Sequence, residues 1–426
     1  MELRATPRQV GVIGAGTMGA GIVQVAIEAG DTVRWTDTDP RAITRGTTRV
    51  RDGLARRASS LDIAESDRAG WVDERLARLR VGADVAEVAL EGELIIEAIV
   101  EDLEAKRSIF AELDRVARPD AILATNTSAL SVSAIAAAAT RPERVLGLHF
   151  FNPAPLMALV EVVVATRTSD AVIAAATSTM EGWGKTPVPC GDAPGFIVNR
   201  VNRPFTLEAL AIVHDGSASV ARVDTLIRGA GFPMGPFELM DLVGIDVNLA
   251  AATAIYRAFS DDGRDGPLAE RFRPSPIQER MVLAGHLGRK LSGGFYRYDG
   301  SGNRLGVAPL WELPEAEIRA IDDAAVVERI VAAVANEACR AVDDGVAAEA
   351  DIDLAMRLGA GHPLGPFERV AATGGPASLL ATLRRHASAG PRFDPAPWLL
   401  RAVARTASPA STSSPTSTSS PDGGVG

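Results

Sequence analysis

The first half of the chain alternates short apolar runs with longer stretches in which apolar residues recur at helical spacing. Each apolar run has the length of a buried strand, and each intervening stretch is typical of an amphipathic helix. This alternation predicts an α/β fold, a parallel, doubly wound sheet covered by helices on both faces. The predicted strands are residues 9–13, 32–36, 94–98, 121–125, 145–150 and 159–164.

A long stretch rich in arginine and alanine separates the second predicted strand from the third. It extends from residue 41 to residue 79, which is too long for one plain crossover helix between neighbouring strands. We therefore predict a helical hairpin that projects from the sheet.

The second half of the chain is helical and contains an internal repeat. Residues 196–200 and 229–238 are matched by residues 325–329 and 359–368. Such self-similarity indicates a duplicated structural unit, so we predict two tandem all-α domains, named copy 1 and copy 2. The predicted boundaries are residues 1–186 for the sheet domain, 187–298 for copy 1, 299–322 for a linker, 323–405 for copy 2 and 406–426 for a tail. The tail is nearly all Ser, Thr, Pro and Gly, a composition that predicts disorder.

Charge and cysteine content narrow the classes of function. Lys and Arg total 44 against 54 Asp and Glu, and the formal net charge of −10 argues against a nucleic-acid partner. Cys190 and Cys339 lie far apart without metal-ligand spacing, which predicts reduced thiols and no metal site. The N-terminus lacks the apolar core of a signal peptide, and the apolar runs fall short of the roughly 20 residues of a membrane span. We expect a soluble, cytoplasmic protein with no membrane partner.

A glycine-rich turn follows the first predicted strand and opens a helix. It has the pattern GxGxxG, in which the glycines permit a tight turn, close approach of a pyrophosphate and close packing of helix on strand. Asp37 ends the second strand, where an acidic residue accepts a ribose 2′-hydroxyl and repels a 2′-phosphate. The motif therefore predicts NAD rather than NADP as the cofactor. Its residues are Gly14, Ala15, Gly16, Thr17, Met18 and Gly19.

His149 and Glu161 lie on two predicted strands that are consecutive in the chain. One interpretation is a core histidine with satisfied hydrogen bonds and an edge-strand glutamate that faces water. The other is a pair, because a carboxylate within an apolar strand is costly unless it has a partner. A carboxylate bound to one imidazole nitrogen raises the basicity of the other, which is how a general base is built.

Two further polar positions lie where a site is expected. Ser128 follows the strand at residues 121–125, at the carboxyl edge where open α/β sheets bind ligands. The alternative for this segment is a plain helix cap. Asn199 lies at the junction of the sheet domain with copy 1, where it has no assignable role in isolation.

Taken together, these motifs resemble the L-3-hydroxyacyl-CoA dehydrogenase family, whose sheet domain is Rossmann-like. The resemblance extends to about Arg405. Within the family, the sequence is most similar to bacterial members that act on 3-hydroxybutyryl-CoA or 3-hydroxyadipyl-CoA. It is carried by residues 14–19, 97–101, 125–130, 149–153, 194–200 and 235–238, by residues 288–290 and 293–296, and by the duplication.

The resemblance implies an enzyme that oxidises an (S)-3-hydroxyacyl-CoA with NAD, reversibly. His149 and Glu161 would form the general-base pair, while Ser128 and Asn199 would orient the substrate oxygen. The family's further dinucleotide contacts fall on Glu101, Lys106, Ser128, Asn152 and Lys290. Its CoA contacts in the hairpin fall on Gly53 and Ser60, with Arg56 and Arg57 close by.

Two other functions are compatible with the same residues. One is a 3-hydroxy acid or sugar-acid dehydrogenase of the same superfamily, which would lack CoA, and the other is a catalytically silent NAD-binding protein. Single-copy members of the family commonly bury this helical domain against a partner subunit. We therefore predict that copy 2 packs on copy 1 within the chain, and a homo-oligomer remains compatible with the sequence.

Overall fold

The computed structural model describes residues 7–261, 266–311 and 321–407. Residues 312–320 of the predicted linker and residues 408–426 of the predicted tail lie outside these residues. Within them the chain forms a sheet domain followed by two helical copies.

Eight strands form one sheet in the order β3-β2-β1-β4-β5-β6-β7-β8. All neighbours are parallel except β6 and β7, which pair antiparallel. This arrangement confirms the predicted doubly wound α/β fold. The strands are β1 (Gln9–Ile13), β2 (Thr32–Thr36), β3 (Leu79–Val81), β4 (Leu94–Glu97), β5 (Ile122–Thr125), β6 (Val145–Phe150), β7 (Leu159–Val164) and β8 (Thr186–Gly191).

Two strands correct the sequence prediction. The sequence does not predict β3, which begins at Leu79, the last residue assigned to the hairpin, and pairs with β2. β8 contains Pro187 and Pro189 and pairs only with β7, because a strand at the edge of a sheet tolerates residues without an N–H. The predicted boundary at residue 187 would divide this strand, so the sheet domain extends at least to Gly191.

Helices cover both faces of the sheet. They are α1 (Thr17–Glu28), α2 (Pro40–Ser60), α3 (Glu65–Leu76), α4 (Val85–Glu91), α5 (Leu103–Val116), α6 (Val132–Ala136) and α7 (Asp170–Gly182). The Asp39 side chain caps α2 by accepting from the Arg41 N–H, and Pro40 occupies the first helical position. α2 packs against α3, which gives the helical hairpin that the sequence predicts.

The helical half follows the repeat. Copy 1 contains α8 (Val198–Val201), α9 (Arg203–His214), α10 (Val220–Gly229), α11 (Pro236–Val243), α12 (Ile245–Asp261) and α13 (Pro276–Leu283). Copy 2 contains α14 (Asp323–Asp343), α15 (Glu349–Ala360), α16 (Pro366–Ala372), α17 (Gly375–Arg385) and α18 (Pro397–Ala407). The predicted linker begins with structure of its own, because β9 (Tyr296–Tyr298) and β10 (Arg304–Val307) form an antiparallel pair.

Copy 2 packs on copy 1 within the chain. The long helix α14 lies against α8, α9 and α10, and one hydrophobic core runs from the sheet through both copies. The repeated Gly-x-Pro segments contact each other reciprocally: Pro363 of copy 2 lies near Gly231 of copy 1, and Pro233 of copy 1 lies near Gly361 of copy 2. Cys190 and Cys339 are both buried free thiols.

Within the described residues, no single helix has the length and apolar composition of a membrane span. One pair, α11 and α12, meets that test only when its members are joined across a 100° bend.

Candidate active site

The glycine-rich turn between β1 and α1 is shaped by contacts that exclude side chains. Gly14 has a φ of +107°, and a Cβ there would lie 2.4 Å from the carbonyl oxygen of Ala98. A Cβ on Gly19 would lie 2.0 Å from the carbonyl oxygen of Gly14, so this glycine lets α1 pack on β1. The space beside Gly16 is open, and no side chain caps α1 there. The N–H groups of α1 are therefore available for a phosphate.

Asp37 lies directly after β2 and borders the same turn. Its Oδ2 accepts from the Ala15 N–H at 2.6 Å, and its Oδ1 accepts from the Asp39 N–H at 2.8 Å. The carboxylate is thus held beside the turn. An open glycine, an uncapped helix and an adjacent carboxylate fit NAD.

The catalytic candidates begin with a pair of residues at the antiparallel junction of the sheet. His149 of β6 lies directly opposite Glu161 of β7, so both side chains project from the same face. Nδ1 of His149 lies 2.6 Å from Oε2 of Glu161, and the glutamate is fully buried. Because a carboxylate accepts only, Nδ1 carries the proton and Nε2 keeps a free lone pair. The interpretation of Glu161 as a glutamate facing water is therefore wrong.

The second oxygen of Glu161 is held by backbone. Oε1 accepts from the N–H of Ile197 at 3.1 Å and from the N–H of Val198 at 2.8 Å. Val198 precedes Asn199, so one carboxylate fixes both the imidazole and the segment that carries the candidate asparagine.

Asn199 and Ser128 meet across the junction of the sheet domain with copy 1. The Asn199 amide donates to the carbonyl oxygen of Ser128 at 3.2 Å. The Ser128 hydroxyl donates to Oε1 of Glu101 at 3.3 Å, and its N–H donates to the same oxygen at 2.9 Å. The fold therefore brings Ser128, Asn199 and Glu101 together at the carboxyl edge of the sheet.

Glu101 is anchored by a network beneath it. Its Oε1 accepts from the Thr127 hydroxyl at 2.6 Å, and its Oε2 lies 3.4 Å from Nζ of Lys106. Burial by itself would raise the pKa of Glu101, but the Thr127 hydroxyl and the Lys106 ammonium outweigh that effect. The pKa of Glu101 therefore lies below its usual value, and the side chain is a fixed anion.

Lys106, which the resemblance assigns to the dinucleotide, lies beneath Glu101. Its side chain is fully buried, and Nζ donates to Oε1 of Glu97 at 2.7 Å. The Lys106 ammonium therefore holds both Glu97 and Glu101 in place. Glu97 also accepts from the Thr125 hydroxyl and the Ile99 N–H. Glu97, like Glu161, is a carboxylate within an apolar strand, and this pattern in the sequence indicates a buried, hydrogen-bonded glutamate.

Lys290 and Asn152 lie at the margins of the candidate site. The Lys290 ammonium contacts both carboxylate oxygens of Asp246, at 2.6 and 2.7 Å. Its ion-pair partner among the described residues is thus in copy 1, and the structure does not join it to the glycine-rich turn. Asn152 is exposed just beyond the end of β6.

In the hairpin, the structure separates the predicted CoA contacts into two groups. Gly53 is buried, and a Cβ there would lie 2.0 Å from Oε1 of Gln24, so the position faces α1. Arg56, Arg57 and Ser60 are exposed on α2. Nε of Arg57 lies 3.7 Å from Oε2 of Glu28, and the Ser60 hydroxyl donates to the carbonyl oxygen of Arg57.

Comparison with known proteins agrees with this geometry. The family profile described as 3-hydroxyacyl-CoA dehydrogenase, NAD binding domain, matches residues 9–193. The profile described as 3-hydroxyacyl-CoA dehydrogenase, C-terminal domain, matches residues 195–298 and 326–414, the two copies of the repeat.

Individual relatives cover most of the chain. The 3-hydroxyadipyl-CoA dehydrogenase of Escherichia coli (strain K12) is 36% identical over 437 residues, covering 84% of this chain and 89% of that protein. The mitochondrial hydroxyacyl-coenzyme A dehydrogenase of Sus scrofa is 40% identical over 294 residues, covering 68% of this chain and 91% of that protein. The solved structure of 3-hydroxybutyryl-CoA dehydrogenase from Escherichia coli K12 has a TM-score of 0.81 and 34% identity, covering 94% of this chain and 99% of that one.

Proposed function

This chain belongs to the 3-hydroxyacyl-CoA dehydrogenase family of NAD-dependent oxidoreductases, and from that premise we propose that His149 and Glu161 catalyse the oxidation of an (S)-3-hydroxyacyl-CoA. The observation that carries the proposal is the 2.6 Å contact between Nδ1 of His149 and the fully buried carboxylate of Glu161. The product is a 3-oxoacyl-CoA, and the reaction is reversible.

In the proposed mechanism, Nε2 of His149 accepts the proton of the substrate 3-hydroxyl. Glu161 keeps the imidazole in the tautomer with Nδ1 protonated and stabilises the imidazolium that forms. The glycine-rich turn and Asp37 would hold NAD, which would supply the acceptor for the hydride of C3. The Phe151 ring packs against the imidazole with centroids 4.5 Å apart, which restricts the orientation of the base.

Ser128 and Asn199 would position the oxygen that becomes a carbonyl. Ser128 is exposed and Asn199 is half-buried at the carboxyl edge of the sheet, and the Ser128 hydroxyl makes one long contact at 3.3 Å, which a substrate oxygen would replace. Donors that are already oriented toward a developing charge stabilise it without reorganisation. Glu101 would hold Ser128 and contribute to the dinucleotide site, with Asn152 beside it.

The hairpin would receive the CoA portion. Arg56 is exposed on α2, with the Arg57 guanidinium and the Ser60 hydroxyl on the same helical end. A planar guanidinium binds phosphate through paired donors, so Arg56 and Arg57 are the proposed phosphate contacts. Lys290 is proposed as a dinucleotide contact that would exchange Asp246 for the cofactor.

The experiment compares substrates and the His149→Gln variant. We expect the wild type to oxidise 3-hydroxyacyl-CoA thioesters with NAD and to oxidise the corresponding free 3-hydroxy acids far more slowly. His149→Gln should bind NADH normally and lose roughly 10²- to 10⁴-fold in kcat. Equal rates with free acids would contradict the CoA assignment, and near-normal turnover by the variant would contradict the base.

A further inference from the structure

Arg203 is a buried arginine that has no acidic partner among the described residues. Its side chain is 5% exposed, and its hydrogen-bond partners among the described residues are the two oxygens of Asn248. Both bonds come from Nη1, at 3.4 Å and 3.2 Å, and Nε is buried without a partner. Burial lowers the pKa of Arg203 to about 10, because no carboxylate offsets the desolvation of its charge.

Three other buried arginines of the described residues each contact a carboxylate. Arg144 contacts Asp114, Arg200 contacts Glu337, and Arg329 contacts Glu208. A buried cation is costly unless a negative charge or several acceptors surround it. Arg203 therefore has the donors and the charge to bind an anion that the protein itself does not supply.

The repeat shows that the helical fold does not require this arginine. Arg203 corresponds to Ala332 of copy 2, as Arg200 corresponds to Arg329. Ala332 is 4% exposed and belongs to an apolar cluster at the centre of copy 2. The same architecture is thus stable with a methyl group at this position, and the arginine occurs only in the copy that borders the candidate active site.

A second member of the polar cluster shows the same asymmetry. Gln278 is fully buried and donates to Oδ1 of Asn248 at 2.8 Å, which fixes the amide oxygen that Arg203 contacts. The prolines that begin α13 and α18 align Gln278 with Leu399 of copy 2. Leu399 is fully buried in the same apolar cluster as Ala332. Copy 1 has therefore replaced two apolar core positions with a polar cluster.

The position of Arg203 relates this cluster to the site. Asn202 has helical backbone angles, so α8 continues almost directly into α9 and places Asn199 and Arg203 one turn apart on one face. Asn199 faces Ser128, where the reacting hydroxyl is proposed to bind. A short acyl chain that extends from C3 along this face would run toward Arg203.

The cluster also lies close to the surface. Asn248 is half-buried, and its neighbours Val243 and Val247 are 47% and 50% exposed. These exposed apolar side chains offer a surface for methylene groups, and the guanidinium that Asn248 contacts offers a receptor for a charge.

We propose that Arg203 binds a carboxylate at the far end of the acyl chain, so that the substrate class is a 3-hydroxyacyl-CoA derived from a dicarboxylic acid. This inference rests on the proposed oxidation of 3-hydroxyacyl-CoA and names its substrate class. Arg203 acts as a specificity determinant, and it takes no part in proton or hydride transfer.

The test compares two substrates that differ only at the far end. They are (S)-3-hydroxyadipyl-CoA, which ends in a carboxylate, and (S)-3-hydroxyhexanoyl-CoA, which has the same chain length and ends in a methyl group. A charged hydrogen-bonded pair predicts that the full-length enzyme prefers the carboxylate by roughly 10- to 100-fold in kcat/KM. Arg203→Met should abolish this preference and leave kcat/KM for the methyl-terminated substrate within about threefold of wild type. Arg203→Lys should retain part of it.

Arg257→Met is the matched control. Arg257 lies on α12, the helix of Asn248, and is exposed, so its loss removes one positive charge without touching the cluster. The control should keep the wild-type preference. The proposal would be overturned if the wild type had equal kcat/KM for the two substrates, or if Arg203→Met lowered kcat/KM equally for both.

Two readouts keep this proposal distinct from the proposed function. Calorimetric binding of adipyl-CoA and hexanoyl-CoA, which lack the 3-hydroxyl, tests the carboxylate contact without turnover. The wild type should bind adipyl-CoA more tightly, and Arg203→Met should bind both equally. Replacing an unpaired buried cation with methionine should also leave Tm unchanged or raise it. A markedly lower Tm would show that Arg203 is structural and would overturn the inference, whereas failure to oxidise either thioester would overturn the proposed function.

Discussion

Arg329 of copy 2 donates to Glu208 of copy 1 across the interface between the copies, with Nε 2.9 Å from Oε1. The equivalent pair is reciprocal, because Arg200 of copy 1 donates to Glu337 of copy 2 at 2.8 Å. Burial by itself would raise the pKa of Glu337, but its arginines outweigh burial and lower it. Such exchange is the pattern of an isologous dimer interface, here formed within one chain.

The first prediction concerns removal of copy 2. A chain that ends at Ile321 loses the partners of Glu208 and Arg200 and exposes the apolar face that α14 covers. It should aggregate, or dimerise where the full chain does not, in size-exclusion chromatography with light scattering. A chain that ends at Ala407 should behave like the full chain. A monomeric, fully active product ending at Ile321 would contradict this role of copy 2.

The second prediction concerns Glu161. Glu161→Gln removes the charge that orients and stabilises His149 but preserves the shape of the side chain. We expect kcat to fall by roughly 10²-fold, the lower end of general-base contributions, while the Kd for NADH stays unchanged. Calorimetry and steady-state kinetics measure the two quantities. If only Tm falls and kcat per folded enzyme is retained, Glu161 is a structural residue.

The sequence predicts the His149 and Glu161 pair because both residues interrupt apolar strands joined by a short loop. It does not show which side chains a residue on the buried face of a helix will contact. Gly53 therefore faces α1, and Lys106 is buried between two glutamates, although both occupy positions that the family uses for contacts.

Other features depend on contacts between distant segments. The sequence does not predict β8, because the strand contains two prolines, which a strand tolerates only at the edge of a sheet. In the sequence, Arg203 is marked only by its spacing from Asn199 and by the alanine at the equivalent position of copy 2, because burial without an acidic partner is a property of the packed structure. Thr127 and the N–H groups of Ile197 and Val198 likewise gain their roles only through tertiary contacts.

The third prediction concerns cofactor choice. Asp37 holds a carboxylate at the turn between β1 and α1, where it would repel a 2′-phosphate. The wild type should have a much higher kcat/KM with NAD than with NADP. Asp37→Ser should lower kcat/KM with NAD and narrow the difference. Equal kcat/KM values for the two cofactors in the wild type would show that Asp37 does not face the ribose.

The fourth prediction concerns acid stability at Asp114, which lies on α5. Burial by itself would raise the pKa of Asp114, but hydrogen bonds from Thr140 and Arg144 outweigh it and lower the pKa to about 2. A carboxyl whose pKa is lower in the folded state stabilises the fold above its unfolded pKa of 3.8. That contribution is lost as the pH falls from about 4 through about 2.

Urea unfolding of the wild type and Asp114→Asn measures this contribution. The difference in the free energy of unfolding should be largest near neutral pH and should shrink by about 2 kcal/mol at acid pH, because asparagine does not titrate. A difference that is constant with pH would contradict the linkage.

The last prediction concerns a contact between copy 2 and the catalytic strands. Gly359 of α15 packs on the sheet domain, and a Cβ there would lie 2.7 Å from Cδ2 of Leu159 and 2.9 Å from Cγ2 of Val198. The Phe151 ring, which packs on His149, would be 3.5 Å away. These three neighbours flank the residues proposed for catalysis.

Gly359→Val should therefore displace His149 and Glu161 without contacting the substrate. We expect kcat to fall about tenfold or more, since small misplacements of reacting groups lower the rate of the chemical step. The repeat supplies a matched control, because Gly229 occupies the equivalent position of α10 and a Cβ there would meet nothing within 4 Å. Gly229→Val carries the same intrinsic cost to a helix and should retain the wild-type kcat. Complementary space from Leu159→Ala should restore part of the kcat of Gly359→Val, whereas equal kcat values for the two glycine variants would show that α15 does not position the site.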